Sequence, residues 1–392
     1  MNTSSIKKGM NREVILISLA IFFADASHST VIPIFPGFAQ RLGATLSVLG
    51  SYGSVSALTM LLLSLPLGRF SDKYGRKLMI LPGLILFIIV PLSYLLASNP
   101  IHLYPIRMLL GLGVGLIFSN GFLLMTEVTD PEIRSTAQGM YMTSMGIGFT
   151  IGPLIGGYTA KYYGSNISFL ISAAFGACSL LLILLVKEKK QKLEKERKRE
   201  IISLTSIIRD RKVLAAGVAN YMNSLMFNAL TLFFPVYGIN IGLDESQVGT
   251  SFTTRGFAST AIRLPVGSLT KHIRALYLMI FGLTLSALTI FGVSQTRGLV
   301  LINCLMGIQG VAYGIYLTSG NVYVASNSDE DFRGTAMAVY SMFGNLSGIV
   351  NPLILGLIAE RLGVEGALQF SAFITLIGVL FVYYLAKIDF QR

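Results

Sequence analysis

The sequence predicts an all-α polytopic membrane protein: twelve transmembrane helices in two six-helix pseudo-repeats. Three observations predict it. Of 392 residues, 53% are hydrophobic and only 13% charged, where a soluble domain carries about 25% charged residues. With a mean hydropathy of +0.67, a soluble fold would leave too much apolar surface in water. The apolar residues fall in runs long enough to cross a bilayer, about 20 residues each. Finally, the chain repeats its own punctuation at an offset of 199 residues.

Taken in order, the spans are 14–37, 47–69, 78–97, 101–124, 135–158, 168–186, 213–236, 247–270, 275–294, 298–324, 334–358 and 366–386. Residues that favour turns separate them: Gly43, Asn99-Pro100, Asp130-Pro131, Gly164, Gly242 and Gly363. The one long polar break is 187–212, which opens KEKKQKLEKERKRE. It reads as a solvated, partly helical cytoplasmic tether whose Ile201, Ile202, Ile207 and Ile208 suit a membrane interface. With the N-terminus inside, 24 of the 31 Lys and Arg fall in cytoplasmic segments, four in outer loops and three within helices. That bias puts both termini in the cytoplasm. The net charge of +12 is thus topology rather than a nucleic-acid surface. No cleavable signal peptide is expected, because Met1–Arg12 is short, polar and basic and the run after it is long enough to span. Cys178 and Cys304 lie in apolar runs, which argues against a disulfide or metal role.

The repeat pairs Pro36 with Pro235, Gly43 with Gly242, Gly50 with Gly249, Pro66 with Pro265, and Gly111, Gly115 and Gly121 with Gly310, Gly314 and Gly320. Arg134–Gly164 and Arg333–Gly363 share ten identities in 31 positions. The expected domains are therefore a first half, 1–186, the linker 187–212, and a second half, 213–392, in parallel orientation.

The most charged short stretch between spans, Gly68-Arg69-Phe70-Ser71-Asp72-Lys73-Tyr74-Gly75-Arg76-Lys77, reads as a cytoplasmic loop. It resembles the G-x-x-x-D-x-x-G-R-K signature between helices 2 and 3 of the major facilitator superfamily. Its glycines, Gly68 and Gly75, suit a tight turn and close backbone approach. The resemblance makes Asp72 and Arg76 candidates for a conformational gate, with Glu127 able to partner Arg69 or Arg76. The second copy has decayed, with Lys271 where Asp72 would stand. Arg107-x-x-x-Gly111-x-Gly113-x-Gly115 resembles the superfamily motif linked to proton coupling, although Leu110 stands where a polar residue is more usual. Gly148-x-x-x-Gly152-Pro153-x-x-Gly156-Gly157 resembles the motif of the drug:proton antiporter-1 (12-helix) family, with helices of the two halves expected to meet at its glycines. Small-residue packing is the plain reading of the same glycines.

An acid within a membrane costs several kcal/mol unless neutral, paired or wet. Asp25 is the only acid placed deep in a span. It is the expected proton carrier, with Arg107 as partner and His28 one turn away; a permanent structural pair with Arg107 is the alternative. For substrate the candidates are Arg255 on helix 8, whose repeat partner is Ser56, the helix 7 stripe Asn220, Asn223 and Asn228, Gln309, Tyr313 and Tyr316 on helix 10, and the repeat pair Tyr141 and Tyr340. Each of the polar residues also has a plain reading as a helix–helix hydrogen bond. Two buried arginines against one acid favour an anionic, zwitterionic or neutral polar solute.

The resemblance covers nearly the whole chain. It implies a secondary transporter working by alternating access: a proton-coupled exporter of a small organic solute in a bacterial or archaeal inner membrane. No phosphate-binding G-x-x-x-x-G-K-[ST] occurs, so ATP is not expected to drive it. Neither enzymatic activity nor a cofactor is expected, and the partners are substrate, protons and lipid around a monomer. The alternatives are a proton symporter or facilitator importing a sugar, amino acid or organic anion and, in another class, a lipid flippase or scramblase.

Overall fold

The computed structural model describes residues 11–188, 210–329 and 332–387, except the side chains of Ser64, Leu65 and Arg69. Most of the linker, including its four isoleucines, lies outside the described residues. Twelve helices cross in sequence: α1 (Arg12–Arg41), α2 (Leu46–Tyr74), α3 (Arg76–Tyr94), α4 (Pro100–Val128), α5 (Arg134–Tyr163), α6 (Ser165–Leu185), α7 (Arg211–Asn240), α8 (Glu245–Leu269), α9 (Ala275–Ser294), α10 (Leu299–Ser326), α11 (333–362) and α12 (364–387). No strand occurs among the described residues.

Where polar residues go identifies the solvent. Leu264, Leu96 and Phe373 point outward, while Asp25, Ser29, Arg255, Gln309 and Asn351 are buried. That inversion suits hydrocarbon outside, where backbone groups must be satisfied within each helix. Of the twelve, α5 and α8 are not apolar enough to be read as spans from length and composition alone. Glycine and hydroxyl residues replace aliphatic ones in both, and α8 adds two arginines.

Three local features differ from the sequence reading. The stretch 68–77 is not a loop: α2 runs to Tyr74, α3 starts at Arg76, and Gly75 alone turns the chain at φ 103°. Gly68 lies within α2 with open space at its Cβ position, so neither a turn nor close approach requires it. In α1 the helical ladder breaks after Thr30 and resumes at Phe35. Pro33, which lacks an N–H, sits in the gap. And α4 is composite: a 3-10 turn at Pro100–His102, α-helix to Val114, a π-helical turn at Gly115–Ser119, then α-helix to Val128.

The internal repeat extends to backbone detail. Among the described residues four of the five positive-φ glycines pair at the offset of 199, Gly43 with Gly242 (95° and 90°) and Gly164 with Gly363 (85° and 78°). A Cβ on Gly111 would lie 2.0 Å from the Ser56 carbonyl oxygen; one on Gly310 would lie 2.2 Å from that of Arg255. Each half thus brings its second and fourth helices to backbone contact at the same place. By packing, the chain up to Gly43 and from Val55 through α6 forms one unit; Ala44–Ser54 and the second half form the other.

Candidate functional site

In the first unit, α1 is gripped on two sides. A Cβ on Gly148 would lie 2.5 Å from the Phe22 carbonyl oxygen and 3.0 Å from Asp25 Cβ; on Gly156, 2.1 Å from the Thr30 carbonyl oxygen. Gly148, Gly152 and Gly156 of the α5 motif therefore form a seam with α1 of the same half, where the sequence reading expects helices of the two halves to meet. Bare backbone on α5 allows van der Waals contact with the α1 backbone that any side chain on α5 would block. Ser29 Oγ stitches the seam, donating to the Asp25 carbonyl at 2.6 Å and to that of Gly148 at 3.1 Å. Across α1, Ser27 Oγ donates to the Ser172 carbonyl (2.7 Å) and Ser172 Oγ returns the bond to Ser27 (2.8 Å). Pro153 and Gly157 of the same motif are also buried.

Asp25, 5% exposed, sits on this clamped segment within electrostatic reach of Tyr141. Half-buried His28 stacks on Phe87, with ring centroids 6.1 Å apart. Arg107 lays its guanidinium on the Phe35 ring, 3.3 Å from the centroid, and Phe35 packs on Tyr94. Arg107 is within electrostatic reach of both His28 and Tyr94. Asp25, His28, Arg107 and Tyr141 thus gather around α1.

The cytoplasmic turn is built around Arg76. Its guanidinium contacts Asp72 (2.5 Å), Glu127 (3.0 Å) and Ser71 Oγ (2.9 Å), so Glu127 takes Arg76, one of the two partners the sequence leaves open. Arg69 is left outside the described side chains. The chain continues inward: Ser71 Oγ donates to Asn120 Oδ1 (2.5 Å), and Asn120 Nδ2 donates to the Leu116 carbonyl in the π turn (2.8 Å). From the other side Tyr141 Oη donates to the Phe118 carbonyl in that turn (2.9 Å). A π turn offsets the backbone bonding pattern and leaves carbonyls for side chains to take. A cavity of about 90 Å³ lined by Gly68, Arg76, Gly115, Ser119 and Asn120 lies beside it. Glu188, just past α6, accepts from the backbone N–H of Arg76 (2.7 Å) and Lys77 (3.3 Å), supplying the cap that Gly75 cannot. Lys77 Nζ in turn holds the carbonyls of Leu184 and Val186.

In the second unit Arg255, 1% exposed, is fixed from three directions. Its Nε donates to Gln309 Oε1, and Gln309 Nε2 donates to Ser286 Oγ at 3.0 Å. Its guanidinium carbon lies 4.7 Å from the Tyr313 ring centroid and 5.4 Å from that of Phe227, two rings stacked 6.1 Å apart. Nearby, Tyr316 Oη meets Tyr340 Oη at 3.0 Å and Asn220 Oδ1 at 3.3 Å, while Asn220 Nδ2 donates to the Tyr340 carbonyl at 2.9 Å. Asn223 is buried, and Asn228 keeps its Nδ2 buried without a hydrogen-bond partner among the described residues.

The structure thus assembles the Arg76 cluster and the Arg255–Gln309–Tyr313 cluster and separates Asn220, Tyr316 and Tyr340 into a hydrogen-bonded group of their own. Gln309, Tyr141 and Asn220, expected to face substrate, spend their polar atoms on neighbouring helices. Ser71, Asn120, Glu188, Ser286 and Phe227 escaped the sequence reading. Ser71 and Asn120 carried a faint signal, as polar residues inside a motif and an apolar run; Glu188 was hidden in a charge run.

Twelve helices in two repeats, apolar outside and polar within, define a polytopic membrane transporter. The chain belongs to the Major Facilitator Superfamily, whose family model matches residues 17–244 and 217–390. It is 26% identical over 384 residues to the multidrug resistance protein MdtG of Escherichia fergusonii (94% of this chain, 93% of that one). It is 23% identical to multidrug resistance protein 1 of Bacillus subtilis (90% and 91%) and 20% identical to an MFS-type transporter of Methanocaldococcus jannaschii (94% and 96%). In fold it is similar to a bacterial homologue of the human lysosomal transporter Spinster (TM-score 0.79, 15% identity, 95% and 96% covered). The nucleoside transporter NupG is also similar (TM-score 0.78, 12% identity, 96% and 100% covered).

Proposed function

We propose that the protein is a proton-coupled exporter of a small organic solute, anionic or zwitterionic, working by alternating access. The observation that carries this reading is Asp25, a carboxyl group buried midway along α1 on backbone that the α5 glycine seam holds still. An acid at that depth is costly, and its retention inside a membrane is by default functional. The multidrug resistance relatives support export. Asp25 takes a proton when one side is open and gives it up when substrate arrives; His28 and Arg107 set the local charge. Arg76, Asp72 and Glu127 form the gate, and Arg255 with Tyr313 contacts substrate. A membrane potential of 100 mV supplies about 2.3 kcal/mol per charge moved. The working unit is a monomer in a prokaryotic inner membrane, both termini cytoplasmic, its halves 1–186 and 213–392 tethered by 187–212.

The test is proton release from detergent-purified protein on adding candidate solutes, wild type beside Asp25→Asn. Solute-driven release that vanishes in Asp25→Asn supports exchange of proton for solute. Solute binding with no proton signal in either protein would overturn coupling and leave a facilitator.

A further inference from the structure

Arg255 is a buried cation with no carboxylate beside it among the described residues. A guanidinium does not shed its proton in proteins, so burial cannot neutralise it. Among the described residues its hydrogen-bond partner is neutral Gln309, its neighbours are the rings of Phe227 and Tyr313, and its Nη2 is buried without an acceptor. Arg263, the cation nearest along α8, stands eight residues on, about 12 Å at the rise of a helix, and adds positive charge. A buried donor left unmade, and more so a buried unbalanced charge, is strongly unfavourable. The fold does not require it: the equivalent crossing in the first half, Gly111 on Ser56, is made without any charge. In the second half the same crossing holds the Arg255 backbone, and Ser286 holds Gln309, so the guanidinium is positioned before any ligand arrives.

We propose that Arg255 is the anchor for a single carboxylate on the transported solute, and that the solute carries an apolar or aromatic body next to it. One guanidinium balances one negative charge, and its planar N–H edge matches a carboxylate in geometry and strength. The apolar body follows from exposure: Phe227 and Tyr313 are half-buried whereas the guanidinium they cover is buried, so an approaching solute meets the rings. This deepens the transport reading above by naming the chemical class of the substrate, and rests on Arg255 being part of the substrate site.

Isothermal titration of the full-length detergent-purified protein with benzoate, acetate and benzamide tests it. Benzoate is expected to bind at least tenfold more tightly than neutral benzamide and more tightly than acetate. Arg255→Gln is expected to erase the preference for benzoate over benzamide, and Arg255→Lys to keep part of it. Thermal melts establish that the variants are folded; where Arg255→Gln is not, the wild-type preference decides by itself. Benzoate binding no tighter than benzamide, or unchanged in folded Arg255→Gln, overturns the proposal. Benzoate preference in a wild-type protein that releases no proton on binding would refute antiport and keep the anchor; proton-coupled export of a neutral solute without benzoate preference would do the reverse.

Discussion

Replacing Gly156 with alanine should cost stability, although alanine is the better helix former. The new Cβ would lie 2.1 Å from the Thr30 carbonyl oxygen and 2.9 Å from its carbon. Both are backbone atoms of α1, so no rotamer change relieves the clash, and α1 must retreat by about 1 Å, an overpacking typically worth 1–3 kcal/mol. Against that, glycine to alanine inside a helix gains about 1 kcal/mol. The net is a loss of up to about 2 kcal/mol, and Asp25 moves with its helix. Gly139→Ala is the matched control, on the same α5 with nothing within 4 Å of the added atom. It keeps the gain without the clash. Thermal unfolding in detergent, read as rank order because such transitions are often irreversible, should give Gly139→Ala at or above wild type and Gly156→Ala clearly below. Gly152→Ala meets Ser29 Oγ first, at 2.1 Å, so Ser29→Ala should rescue it in part, leaving the Ala26 carbonyl at 2.8 Å. If Gly156→Ala melts with or above Gly139→Ala, the seam is not as tight as described and the reasoning fails.

Glu188→Ala removes the acceptor for two N–H groups at the start of α3, at a cost of about 1 kcal/mol; an unchanged melting temperature would show the cap to be idle. Glu127→Gln leaves Arg76 its contact with the exposed Asp72, so stability should fall by less than about 1 kcal/mol while vesicle transport rates change. A large stability loss with normal transport would make Glu127 structural. Tyr141→Phe removes the bond that hydroxyl gives the Phe118 carbonyl and should cost about 1 kcal/mol. Tyr340→Phe should cost less, because Tyr316 keeps Asn220; the reverse order in thermal melts would contradict both assignments.

The sequence by itself determined the membrane class, the twelve helices and the repeat, because hydrocarbon imposes length and apolarity on every span and the turn glycines recur at one offset. It also placed Asp72 beside Arg76, since a motif with fixed spacing constrains its neighbours, and left Glu127 a choice between Arg69 and Arg76. Only tertiary structure decided what lies across from each residue. Gly148, Gly152 and Gly156 say that something approaches closely but not that it is α1 of their own half. Tyr141 and Gln309 look free in a helical stripe until the π turn of α4 and Ser286 claim them. Arg255 is the sharpest case: its type and depth were plain in the chain, but whether an acid balanced it depended on residues from α7, α9 and α10. Helical periodicity fixes the face a side chain occupies, not the partner that face will meet.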